Sequence, residues 1–221
     1  MKFVMSFSTG KDSMLALHRM VKAGHEPVSL LVMFNKDAER SWFHGADDAL
    51  LAAISDALDI PLIRCVTTGD EYIQSMERSL KQAKSMGAEA CVFGDIDIKE
   101  HRVWNEQRCA AAGLKAVLPL WEEKREKLAR ESIREGYKCI IKCIQSEKLP
   151  ESFLGRVLDE KLLSEMAEYK TDLCGENGEY HTIVTDGPLF KHPVDCITGK
   201  ILHTEHASVI ELICAPKGLT K

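Results

Sequence analysis

The 221-residue sequence predicts an α/β fold: a parallel sheet with helices on both faces, followed by a smaller α+β region. Three observations support that reading. From residue 1 to about 135, short apolar or β-branched runs alternate with helical patterns. Such alternation gives right-handed crossovers and a parallel sheet covered on both sides. Several helical patterns stop at glycine, at Gly24, Gly87 and Gly113, as suits the left-handed position after a helix. Past residue 135 the texture changes to strand-like runs, one helix and a Gly-rich stretch. The expected division is a core over 1–135 and a C-terminal region over 136–221. There is no internal repeat and no low-complexity segment.

In chain order, strands are expected at 2–7, 27–34, 61–66, 90–93 and 116–119, with helices between them at 12–23, 46–58, 71–85 and 102–112. The third helix is the clearest, because Ile73, Met76, Leu80 and Ala83 recur at three- and four-residue spacing. Ligands on a parallel sheet bind beyond the carboxyl ends of its strands, so residues just after a strand matter most. The charged stretch 122–134 reads as one helix and 138–144 as a strand. Leu158, Leu162 and Met166 mark another helix face, and strands are expected at 182–185, 200–205 and 208–214. The run 195–200 reads as a turn between strands.

Composition narrows the class. Hydrophobic residues make up 45% and charged residues 29%, the balance of a soluble globular protein with a sizeable core. A net charge of −5 argues against a broad grip on nucleic acid. Of the eight cysteines, several sit inside apolar runs, as Cys91 and Cys139 do. Free buried thiols in a reducing compartment explain that better than bridges. Without a Cys-x-x-Cys, a zinc or iron–sulfur site is not expected. The amino terminus lacks signal-peptide anatomy and no apolar run reaches spanning length, so a cytoplasmic protein is expected, with no membrane partner.

The strongest motif is Ser8-Thr9-Gly10-Lys11-Asp12-Ser13, directly after the first strand and before the first helix. It reads as an anion cradle. Gly10 allows close backbone approach, while free N–H groups and the helix dipole face the oxyanion. Ser8 and Ser13 add hydroxyl donors and Lys11 a positive charge. Asp12 suits either a helix cap or a Mg²⁺ ligand. A plain strand–turn–helix is the competing reading, but the whole six-residue string between the right elements favours phosphate. Neither a Walker A loop nor a Rossmann Gly-x-Gly-x-x-Gly is present.

Two further strings follow. Val92-Phe93-Gly94-Asp95-Ile96 ends the fourth strand, where Gly94 would admit a nucleotide and Asp95 would bind ribose or Mg²⁺; an ordinary turn is an equal alternative. Cys174-Gly175-Glu176-Asn177-Gly178-Glu179-Tyr180-His181-Thr182 is a tight acidic loop. It suits an ammonium, a trimethylammonium or Mg²⁺, with Tyr180 offering a cation–π face. Taken alone, a solvated Gly-rich hairpin is the favoured reading. For His44, a structural and a ligand-binding role weigh equally. Trp104 and Trp121 read as packing residues.

The first string resembles the Ser-Gly-Gly-x-Asp-Ser loop of the PP-loop ATP pyrophosphatases, within the adenine nucleotide α-hydrolase superfamily of Rossmann-like folds. Together with Trp42-Phe43-His44, Leu118-Pro119-Leu120-Trp121 and Asp186-Gly187-Pro188-Leu189-Phe190, the three strings resemble the diphthine–ammonia ligase family over about residues 1–200. The resemblance implies an ATP-dependent amide-forming ligase. A carboxylate is adenylated, pyrophosphate leaves, and ammonia displaces AMP. It also implies ATP and Mg²⁺ as cofactors, and ammonium and a carboxylate-bearing acceptor as partners; a homodimer is compatible with it.

On that resemblance Ser8, Thr9, Gly10, Lys11, Asp12 and Ser13 meet the triphosphate, and Lys11 stabilises the departing pyrophosphate. Phe7 and Met33 meet adenine, Gly94 and Asp95 face the ribose or α-phosphate, and Asp12 and Asp95 hold Mg²⁺. Lys11, Asp12, Glu176 and Glu179 are the expected catalytic residues. His44, Glu176, Asn177, Gly178, Glu179 and Tyr180 are the expected substrate contacts. Thr9 stands where the family has glycine, which calls for a negative φ there. Asn177, His181 and the run 97–101 depart from the family on the acceptor side. The alternatives are a PP-loop adenylating enzyme with another acceptor, such as a tRNA, and a non-catalytic nucleotide-binding regulator.

Overall fold

Strand–helix alternation in the first half builds a mostly parallel sheet, in a computed structural model that describes residues 1–42 and 44–214. Phe43, part of the Trp42-Phe43-His44 string, lies outside the described residues. The sheet strands are β1 (Lys2–Ser6), β2 (Glu26–Asn35), β3 (Arg40–Ser41), β4 (Leu62–Thr67), β5 (Ala90–Val92) and β6 (Lys115–Val117). β1 lies between β2 and β5, with β6 beyond β5 and β4 beyond β2, all parallel. The two-residue β3 runs antiparallel to the end of β2. Chain order moves outward from β1 through β2 to β4, then crosses to β5 and β6. The switch point is therefore the β1–β5 boundary, where open α/β sheets bind ligands.

Alternation along the strands divides the apolar side chains between two faces. Phe3 and Met5 of β1 point into one core, with Met14 and Leu17 of α1 (Lys11–Lys22) and Leu51 and Ile54 of α2 (Asp48–Leu58). Val4 points into the other, with Met76 and Leu80 of α3 (Tyr72–Ser85) and Cys109 of α4 (Lys99–Ala112). Ile73 falls off the buried face of α3 and is exposed. After α5 (Arg125–Arg134) come β7 (Lys138–Gln145), a 3₁₀ turn (Glu151–Phe153), α6 (Glu160–Ala167), β8 (Tyr180–Asp186), β9 (Cys196–His203) and β10 (Ala207–Cys214). These strands form a second, antiparallel sheet in the order β8-β7-β10-β9. The expected boundary at 135/136 falls between α5 and β7. The first core runs across it to include Ile141 of β7, Leu162 of α6 and Ile183 of β8.

Two expectations need correction. The run 195–200 is not a turn: Cys196 to His203 is continuous strand, and its Gly199 sits where the β9–β10 register shifts. The chain reverses instead beyond His203, with Thr204 N donating to Ala207 O at 2.8 Å. Thr9 has φ 72, not a negative φ. Its hydroxyl donates to Ser8 O and its carbonyl accepts from Val184 N at 2.9 Å. A β-branched residue is strained there, and contacts on both sides hold it.

Candidate active site

Beyond the carboxyl ends of β1, β2 and β5 lies a cavity of about 430 Å³, a size suited to a nucleotide. Ser8, Lys11, Asp12 and Ser13 form one wall, while Thr9 and Gly10 lie behind it. α1 starts at Lys11 with Gly10 in the cap position, so Asp12 is not the helix cap. Geometry leaves the first-turn N–H groups without acceptors in the helix. Ser8 Oγ donates to Ser13 Oγ at 3.2 Å, and Ser13 Oγ donates to Gly10 O at 2.9 Å. The second sheet reaches in through β8: Lys11 N donates to Thr182 Oγ1 at 3.0 Å. A Cβ on Gly10 would stand 2.4 Å from His44 Cε1, so the glycine lets that ring lie on the loop.

Lys11 Nζ is buried and donates to Asp12 Oδ2 at 2.7 Å and to Cys174 O. Burial opposes its charge, yet Asp12, Cys174 and Tyr180 more than offset this and hold the ammonium above its ordinary range. The Tyr180 ring lies 5.4 Å from Lys11 Nζ and its hydroxyl donates to Leu173 O at 2.7 Å. The aromatic face expected to greet a substrate cation already carries Lys11. Gly94 lines the cavity too. A Cβ there would lie 2.8 Å from Asp12 C and Ser13 N, so the glycine also admits the start of α1.

Carboxylates gather in the cavity. Asp12, Asp95 and Glu176 all line it. Asp95 Oδ1 pairs with His101 Nδ1 at 3.1 Å, and Oδ2 accepts from Asn105 Nδ2 at 2.9 Å. Burial, and then the charge of Asp12, push the Glu176 carboxyl up to about 7. Among the described residues no three His, Cys, Asp or Glu side chains converge as a closed metal site. One or two hard carboxylate oxygens are what Mg²⁺ takes from protein when phosphates and water complete its shell, so Asp12 and Asp95 fit that ion.

His44 Nδ1 sits 2.7 Å from Thr182 O. Against a carbonyl this nitrogen carries the proton, which leaves Nε2 as an acceptor. Burial, His181 and Lys11 drive the His44 imidazole down to about 3, against the Thr182 carbonyl, so it is neutral at pH 7. His181 stacks obliquely on it, with centroids 4.8 Å apart, and burial lowers its pKa too.

Not every expected residue reaches the cavity. Glu179 is 3% exposed and turns away, accepting from Asn177 N at 3.1 Å and pairing with Lys148 at 3.4 Å. Asn177 Oδ1 accepts from Arg125 at 3.0 Å. Gly178 turns the loop at φ 83. Phe7 and Met33 line the cavity, but Phe7 N donates to Leu31 O at 2.8 Å and Met33 O accepts from Trp42 N at 3.1 Å. The apolar wall includes residues the sequence did not single out for binding. Trp42 meets Tyr72 edge-on at 5.7 Å, Tyr72 meets Trp104 at 6.1 Å, and all three line the cavity.

The family model for the diphthamide synthase N-terminal domain matches residues 1–116, and that for the C-terminal domain matches residues 124–213. The chain belongs to the diphthamide synthase family. It is 30% identical over 239 residues to a diphthine–ammonia ligase of Danio rerio, covering 94% of this chain and 91% of that protein. The human diphthine–ammonia ligase is 26% identical over 219 residues, covering 88% and 82%. That of Schizosaccharomyces pombe is 28% identical over 230 residues, and the match spans 94% of this chain but only 38% of the yeast protein. A solved structure described as a "predicted subunit of tRNA methyltransferase" from Methanocaldococcus jannaschii matches 88% of this chain and 100% of its own, with 16% identity and a TM-score of 0.45. No helix among the described residues is long and apolar enough to cross a membrane.

Proposed function

We propose that this chain is an ATP-dependent amide-forming ligase that activates a diphthine-like carboxylate by adenylation and passes the acyl group to ammonia. The observation that carries this reading is the 8–13 loop seated on the start of α1, with Lys11, Asp12, Asp95 and Glu176 facing one cavity. Relatives named diphthine–ammonia ligase over most of this chain support the amide-forming chemistry.

A carboxylate is a poor electrophile because oxide would have to leave. In the proposed reaction an acceptor oxygen attacks the α-phosphorus of ATP, the bond to the β-phosphate oxygen breaks, and pyrophosphate departs. Ammonia then attacks the acyl carbon, the acyl–oxygen bond breaks, AMP leaves, and the nitrogen gives up a proton. The loop N–H groups and the Ser8 and Ser13 hydroxyls bind the phosphates, while Lys11 supplies fixed positive charge where negative charge grows on pyrophosphate. Mg²⁺, held by Asp12 and Asp95, would add further charge neutralisation there. Glu176 accepts the ammonium proton, since its pKa near 7 matches a base working at neutral pH. The neutral His44 offers Nε2 as a hydrogen-bond acceptor and adds no charge.

The test is incubation with Mg·ATP, ammonium and a panel of carboxylate acceptors led by diphthine-bearing protein. AMP and pyrophosphate in equal amounts are the expected products. ADP and phosphate would overturn cleavage at the α-phosphorus. ATP that binds but is never cleaved with any acceptor would favour a nucleotide-binding regulator.

A further inference from the structure

One guanidinium joins the two loops that wall the cavity. Arg125 Nε and Nη2 donate to the two carboxylate oxygens of Asp97, at 2.8 and 2.6 Å. Its Nη1 donates to Asp172 Oδ2 at 2.7 Å and to Asn177 Oδ1 at 3.0 Å. Asp97 belongs to the loop after β5 that carries Asp95 into the cavity. Asp172 begins the acidic loop and organises its backbone: Oδ1 accepts from Cys174 N at 2.9 Å and Oδ2 from Glu176 N at 3.2 Å. Those two residues then face the chemistry. Cys174 O accepts from Lys11 Nζ, and Glu176 lines the cavity.

We infer that Arg125 is a positioning residue that clasps the acidic loop to the loop after β5, and so fixes where Lys11 and Glu176 stand around the nucleotide. Its catalytic meaning rests on the ATP-using reading proposed above. An isolated exposed ion pair contributes little, but this one is a network in which the planar fork meets one carboxylate with two parallel bonds and a second from its remaining nitrogen. Lysine cannot reproduce that geometry. Nor does the residue serve its own helix. Arg125 is the first residue of α5, where the helix dipole disfavours a cation. Its charge belongs to the loops.

Arg125→Lys and Arg125→Ala test this with three measurements: amide exchange across residues 172–178 without nucleotide, Mg·ATP titration by calorimetry, and the thermal melt. Exchange at Cys174 and Glu176 is expected to quicken by about tenfold or more in both variants, because a local opening no longer breaks the clasp. Mg·ATP affinity is expected to fall about tenfold, with the melt nearly unmoved, and millimolar guanidinium should restore affinity to Arg125→Ala by refilling the fork's place. Wild-type exchange and affinity in Arg125→Lys would overturn the proposal. So would faster exchange throughout the chain with a large drop in melting temperature, which marks a general staple. If the unaltered protein fails to bind Mg·ATP, the proposed function falls, while loop exchange still judges the clasp.

Discussion

Asp12 has two roles that substitution can separate. Its carboxylate faces the cavity and is also the counter-charge of the buried Lys11, at 2.7 Å. Asp12→Ala leaves that ammonium without its partner, and a buried charge so stranded costs up to about 3 kcal/mol. Asp12→Asn keeps an acceptor for Lys11 while removing the negative charge. We expect both variants to lower AMP formation by about 100-fold or more, and Asp12→Asn, which strips the counter-charge but leaves Lys11 a hydrogen-bond acceptor, to lower the melt less than Asp12→Ala. If Asp12→Asn keeps full activity, the carboxylate takes no part in the chemistry. A second prediction concerns pH. The Glu176 carboxyl is raised from 4.5 to about 7, so the stability of its neutral form is full below 4.5 and is lost as pH rises through 7. The His44 imidazole is lowered from 6.5 to about 3, so the stability of its neutral form is full above 6.5 and is lost as pH falls toward 3. Between 4.5 and 6.5 the two slopes oppose each other. Relative to wild type, Glu176→Gln should make the melting temperature climb more steeply with pH in that window, and His44→Gln should make it fall. Parallel profiles for all three proteins would contradict both assignments.

At the level of elements, β8 makes the phosphate loop's shape depend on the second sheet. Thr182 is buried and gives the Lys11 N–H its acceptor, while Val184 N bonds Thr9 O. Thr182→Val preserves shape but leaves that buried N–H unsatisfied, at about 1–3 kcal/mol. The expected outcome is a lower melting temperature together with weaker Mg·ATP binding; a melt that drops with unchanged affinity would confine Thr182 to stability. This dependence was not legible in the sequence, because local pattern marks which residues share a face and not what a distant strand will touch. The same limit hid Arg125, whose partners stand 28, 47 and 52 residues away, and the aromatic wall drawn from Trp42, α3 and α4. Apart from the two-residue β3, the strands and helices of the first half were legible, since apolar spacing and terminal glycines mark them directly. Their ends moved by a few residues, as at α4, which begins at Lys99, because periodicity identifies a face more firmly than a cap. Glycine misled at 199, where it serves a register shift and not a turn. The loop glutamates divided for a reason spacing does not encode: Gly178 turns the chain between them at φ 83, so Glu176 lines the cavity while Glu179 ties the loop to Lys148.

Across the whole molecule, the two sheets share one apolar interior. Met14 and Leu17 of α1 and Leu51 and Ile54 of α2 lie in the same core as Ile141 and Ile144 of β7, Ile183 and Val184 of β8, and Leu212 of β10. The face of α1 and α2 turned from the parallel sheet is therefore covered by the C-terminal region, and polar ties reinforce it. Lys191 N donates to Ala57 O at 2.7 Å, and His18 Nδ1 of α1 pairs with the Tyr137 hydroxyl at 2.8 Å. A segment ending at residue 135 would expose that face and lose the acceptors that Thr182 and Cys174 provide for Lys11. Such a fragment should be poorly soluble or loosely packed and should not bind Mg·ATP, although it holds the entire 8–13 string. The full chain should melt in a single calorimetric transition whose measured and van't Hoff enthalpies agree, as a shared core requires. Two resolved transitions, or a 1–135 fragment that melts cooperatively at the temperature of the full chain, would show that the parallel sheet is self-sufficient and that the C-terminal sheet acts on the phosphate loop only from outside the core.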